Sequence, residues 1–108
     1  MTRAKGERVI HHVVTFQLAA EDESTRRRHA DEIAARLESL IHTVPGIVSI
    51  DVHFDLGLVA SHWPVVLVSQ FESVESLERY QMHPRHHEVI AWMNHGIVSD
   101  RTVVDYET

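Results

Sequence analysis

Between Arg8 and Leu18 the chain reads Arg-Val-Ile-His-His-Val-Val-Thr-Phe-Gln-Leu. Side chains branched at Cβ are stiff and suit a pleated strand better than a helix, and this run is full of them. Successive side chains of a strand point to opposite faces, so Ile10, His12, Val14, Phe16 and Leu18 share one side. An apolar sheet face has to be covered by another layer, which commits the rest of the chain to supplying one.

It does so in order. Asp22 or Ser24 can cap a helix whose Ala30, Ile33, Leu37, Leu40, Ile41 and Val44 form an apolar stripe, with Pro45-Gly46 as its stop. Ile47 to Leu56 alternates, with Val48, Ile50, Val52, Phe54 and Leu56 against Ser49, Asp51, His53 and Asp55. Gly57 to Pro64 is a connection that shapes one entrance to any pocket. Val65 to Glu72 is a third strand, and Arg101 to Tyr106 a short last one.

Between those last two strands lies a helix that cannot run straight. Ser73 caps it, and Val74, Leu77 and Tyr80 recur at helical spacing. Pro84 has no N–H and pushes His83 out of the α region, so the helix stops and restarts with His83 as cap and Pro84 as the first position. From His86 the apolar residues fall at Val89, Ile90, Met93 and Ile97, which places the imidazole on the inner face of a segment closing at His95-Gly96 or slightly later. Burial and the positive end of the helix dipole both disfavour imidazolium, so a neutral His86 able to accept a proton is expected.

The order β-α-β-β-α-β describes an α+β, ferredoxin-like sandwich: a four-stranded antiparallel sheet with its helices on one face. The other face combines Ser49, Asp51, His53 and Asp55 with Val9, Val13 and Thr15. A half-apolar bare face calls for a partner, and two-fold pairing of identical sheets into a homodimeric barrel is the expectation. His53 then belongs to a pH-sensitive polar interface.

At 108 residues with 44% hydrophobic residues, one domain spanning 1–108 with one core is expected. The net charge of -6 argues against nucleic acid or an anionic membrane as partner, because binding phosphate requires a basic footprint. Arg26 to Arg28 lie among acidic residues and read as a solvated helix face. The basic start, Met1 to Arg8, lacks the apolar run of a signal peptide, and no membrane span is read. With no cysteine there is no disulfide framework or thiolate chemistry; a reducing compartment is permitted and a cytoplasmic location expected.

The segments His12-Val-Val-Thr-Phe-Gln-Leu18, Val44-Pro-Gly-Ile47, Phe71-Glu-Ser73, Tyr80-Gln-Met-His-Pro-Arg-His86 and Asp100-Arg-Thr-Val-Val-Asp-Tyr106 together resemble the Dabb family of stress-responsive dimeric α/β barrels. The resemblance runs over nearly the whole chain. It implies a sheet-to-sheet homodimer. A characterised member of that family is a plant polyketide cyclase, which makes olivetolic acid by a cofactor-free aldol condensation. The resemblance to it implies Tyr80 and His86 as catalytic residues and His12 as a pocket histidine. A further pocket histidine of that enzyme is replaced here by Val65.

The residues themselves point to a small-molecule pocket in which His12, Tyr80 and His86 converge within an apolar shell that includes Phe16, Ile90 and Met93. In one reading His86 is a general base and Tyr80 polarises an enolate or carbonyl oxygen, in a cyclase, lyase or isomerase with a hydrophobic substrate. In the other, the same rings satisfy one another inside a non-catalytic barrel that binds a hydrophobic small molecule or serves in assembly.

Ten histidines raise the question of a metal. Pro84 interrupts the helical register that His83, His86 and His87 would need to share one, and no metal site is expected. Four scattered glycines make no phosphate loop and no Gly-x-Ser-x-Gly elbow is present, so no cofactor is expected. A histidine could ligate haem iron, but nothing in the sequence favours that over the cofactor-free case.

Overall fold

The computed structural model describes residues 8–108; the basic start read above lies, before Arg8, outside the described residues. Strands β1 (Ile10–Leu18), β2 (Ile47–Phe54), β3 (Val65–Phe71) and β4 (Val98–Glu107) form one sheet in the order β2-β3-β1-β4, with every neighbouring pair antiparallel. Helices α1 (Glu23–Glu38), α2 (Val74–Met82) and α3 (Pro84–Met93) complete the ferredoxin-like fold. No helix of the described residues is long and apolar enough to cross a membrane.

The inner face of β1 is buried as its alternation requires, and Phe16 meets Ile33 and Leu37 of α1, Val65 and Leu67 of β3, and Met93 of α3 in one core. Burying one such side chain contributes about 1.5–3 kcal/mol. Ser69 is the polar member of the inner row of β3. It lies across from His12, where its small size leaves room for the ring, and its hydroxyl donates to the His12 carbonyl at 2.8 Å.

Asp22 caps α1, accepting the Thr25 N–H at 3.0 Å. At the other end the Glu38 carboxylate accepts the N–H of Val52 at 2.9 Å, which satisfies an outward donor of edge strand β2. Arg36 of α1 lies over the Trp92 ring of α3, 4.2 Å from its centre, and joins the two helices. Ser73 caps α2 as expected, and His83 both ends α2 and caps α3, its ring accepting the Arg85 N–H at 3.1 Å with Pro84 at the first helical position.

Some expectations fail for identifiable reasons. Helix α1 tightens into a 3-10 turn over Ser39–His42, so Leu40 and Val44 are buried but Ile41 turns outward. Val74 starts α2 on its outer side and is exposed. Strand β2 stops at Phe54, where its partner begins at Val65, and Leu56 lies beyond helical cover. A register shift between Ile47 and Ser49 takes Val48 off the inner row. Val9 is buried because its N–H and carbonyl both pair with Thr108 at 3.0 Å. Strand β4 is longer than its β-branched centre because it pairs with the full length of β1, and α3 ends at Met93, two residues before the expected close.

Candidate functional site

Tyr80 projects from the last turn of α2 into the core and is fully buried. Its hydroxyl has no hydrogen-bond partner, although buried hydroxyls ordinarily find one. Burial without a partner pushes its acidity constant well up, so the phenol is a donor and not a phenolate. Across the helix break, the His86 ring stands 4.4 Å from the Tyr80 ring, centre to centre. The break makes this contact possible, because it redirects the chain between the two residues.

His86 is half-buried. Its Nδ1 lies 3.2 Å from the Gln81 carbonyl, which can only accept, so Nδ1 carries the hydrogen and Nε2 keeps the lone pair. Burial pulls its pKa down to about 4; the Gln81 carbonyl opposes this, and the positive charges of His87, His12 and Arg101 add to it. The ring is therefore neutral near pH 7.

His12 comes from the middle of β1 and is buried. Its Nδ1 is 2.5 Å from the Asp105 carboxylate of β4, directly opposite in the register. Asp105 fixes the Nδ1–H tautomer and leaves Nε2 as the nitrogen available to a ligand. The His12 and Tyr80 ring centres are 6.2 Å apart.

A cavity of about 140 Å³ lies between these rings. His12, Phe16, Tyr80, His86, Ile90 and Met93, all expected from the sequence, line it, and Gln81, Arg101 and Val103 complete one side. Asp105 and Arg101 escaped the sequence reading. The signal was present, since alternation along Arg101, Val103 and Asp105 places them on one strand face, but nothing local shows that this face adjoins β1. His87 turns to solvent. No three or more histidine, aspartate or glutamate side chains among the described residues are grouped to hold a metal. A larger concavity, about 690 Å³, opens at the start of α1 and is lined by Glu21, Glu23, Arg26 and Arg27, the solvated face read from the sequence.

The model of the stress responsive A/B barrel domain, Dabb, matches residues 10–108. The chain belongs to the Dabb family. No curated protein matches it. Among solved structures, this Dabb chain superposes on a dimeric ferredoxin-like protein of unknown function from Bacteroides fragilis with a TM-score of 0.82 at 22% identity, covering 93% of this chain and 96% of that one. A hydroxynitrile lyase from Passiflora edulis gives 0.78 at 18% identity, covering 94% of both chains. A Dabb family protein from Mesorhizobium loti gives 0.68 at 19% identity, covering 92% of this chain and 95% of that one. At these identities the likeness is one of fold.

Proposed function

We propose that this Dabb chain is a cofactor-independent acid/base enzyme of the aldol, lyase or isomerase type, with His86 as general base and Tyr80 as the donor that polarises the substrate oxygen. One observation carries the reading: a fully buried, unpartnered Tyr80 hydroxyl beside a neutral His86 whose Nε2 is free. An orphaned buried hydroxyl costs about 1–3 kcal/mol, a cost that a ligand oxygen removes.

The chemistry follows from the two groups. His86 Nε2 takes a proton from a hydroxyl, or from a carbon beside a carbonyl, and Tyr80 donates to the oxygen that gains charge. In a cleavage the O–H electrons form a new C=O bond, the adjacent bond to the leaving carbon breaks, and that carbon recovers the proton from the His86 imidazolium. His12, Phe16, Ile90 and Met93 hold the substrate body. A dry cavity of about 150 Å³ admits benzene, so the roughly 140 Å³ space suits a hydrophobic substrate of similar bulk. Hydroxynitrile cleavage, the reaction named for the Passiflora protein, belongs to this class. The chain works as a homodimer joined through its bare sheet face, a reading that the dimeric protein from Bacteroides fragilis supports.

The test is aldehyde release from aromatic cyanohydrins and β-hydroxy ketones. Turnover by the wild type, with a loss of about 100-fold or more in His86→Ala and Tyr80→Phe that remain folded, is the expected result. Full turnover in His86→Ala would remove the base. No turnover by the wild type, with His86→Ala only less stable, favours the non-catalytic barrel.

A further inference from the structure

Arg101 enters the cavity wall from β4, opposite Phe16 of β1, two residues from Val103 and four from Asp105 on the same strand face. It is half-buried, with its guanidinium carbon 5.9 Å from the centre of the Phe16 ring. One Nη2 hydrogen bond, to the side-chain oxygen of Asn94, holds the group in place. No carboxylate of the described residues pairs with the guanidinium. The neighbouring Asp100 accepts the backbone N–H of Arg101 at 2.9 Å, and Asp105 is taken by His12 at 2.5 Å.

This lack of a counterion is not for want of acids, since the chain carries 16 Asp and Glu against 10 Lys and Arg. Arg27, Arg36 and Arg85 each pair with a glutamate one helical turn away, and Arg26 is spent on the carbonyls of Leu18 and Ala20. Among the described residues lining the cavity, Arg101 is the one permanent charge, because His86 is neutral and the Tyr80 phenol protonated. A guanidinium beside apolar walls with its fork free is a bidentate carboxylate receptor.

We propose that Arg101 anchors the ligand by an anionic group, so that the cavity takes a small monocarboxylate whose apolar body lies toward Phe16 and Met93. The inference rests on the proposal that this cavity is the ligand site, and it names the class of ligand. Arg101 then sets specificity, since a neutral ligand of the same shape would leave the guanidinium unpaired.

Benzoate and its neutral isostere benzamide separate the two ideas. Each is titrated into the wild-type protein and into Arg101→Gln by calorimetry, with the ring resonances of His86 and Tyr80 followed by NMR to locate binding. Benzoate should bind the wild type about 10- to 100-fold more tightly than benzamide, the range of a charge-assisted hydrogen-bonded pair, and Arg101→Gln should bring the two together. Equal binding of both by the wild type, with His86 and Tyr80 perturbed, overturns the anion site and leaves the cavity reading standing. A preference for benzoate that survives in Arg101→Gln overturns the assignment to Arg101. Binding of neither overturns the anchor and the cavity reading together. The wild-type comparison stands even where Arg101→Gln fails to fold.

Discussion

A base is useful at the pH where it is unprotonated, and the surroundings of His86 set that range. Its pKa falls from the ordinary 6.5 to about 4, chiefly because the ring is withdrawn from water. The sign for stability follows. Between about pH 6.5 and 4 the unfolded chain takes up a proton at this position that the folded chain refuses, so stability falls as pH falls through that window. Urea midpoints at pH 7, 5.5 and 4.5 should therefore decline in the wild type and decline less in His86→Gln. The same lowered value places the acidic limb of kcat/KM near pH 4. A limb at 6.5 or above would instead assign the base to His12, whose Asp105 partner favours imidazolium. His86 was legible as a neutral inner histidine from its spacing to Val89 and Met93. The carboxylate behind His12 was not, because it lies 93 residues away along the chain.

At the scale of elements, the Pro45-Gly46 turn does more than end the first helical region. Gly46 has φ +89, where side chains are rarely tolerated, and a Cβ built there would fall 2.7 Å from Cβ and Oγ of buried Ser76 on α2. The Gly46 carbonyl also accepts the N–H of Glu72 at 3.2 Å, just before the Ser73 cap. The turn thus seats α2, and through it Tyr80. Gly46→Ala should cost about 1–3 kcal/mol in urea unfolding, and Gly46→Ala combined with Ser76→Gly should relieve the clash but keep the backbone strain. An unchanged midpoint in the single variant would show that the turn can yield without cost. Pro45-Gly46 was readable as a stop because turn chemistry is local, as was the break at Pro84. Its fit against Ser76 was not, nor was the length of β4, since each depends on what the fold brings alongside.

At the scale of the molecule, the bare face of the sheet is organised in rows. The register lines up Asp51, Val68, Val13 and Val104 across the four strands, with His53, Val66, Thr15 and Thr102 in one neighbouring row. Three valines in line make an apolar stripe that isolated strands do not reveal. The sequence reading found Val13 on one strand and Asp51 on another, but the strand order that joins them is a property of the whole sheet. Val68 and Val104 are 37% and 60% exposed, and covering them from water is what a second sheet would supply. Val68→Asp sets a charge in the middle of that stripe, where a two-fold partner would bring its equivalent close by. Sedimentation at micromolar concentration should give twice the chain mass of 12.4 kDa for the wild type and a shift toward one chain for Val68→Asp. Leu56→Asp, a control in the β2–β3 connection where Leu56 is 85% exposed, should keep the wild-type mass. A wild type that sediments as a single chain, or a Val68→Asp variant that stays paired, would separate this chain from sheet-to-sheet assembly. His53, one row away from the stripe, would then have no symmetry mate to titrate against.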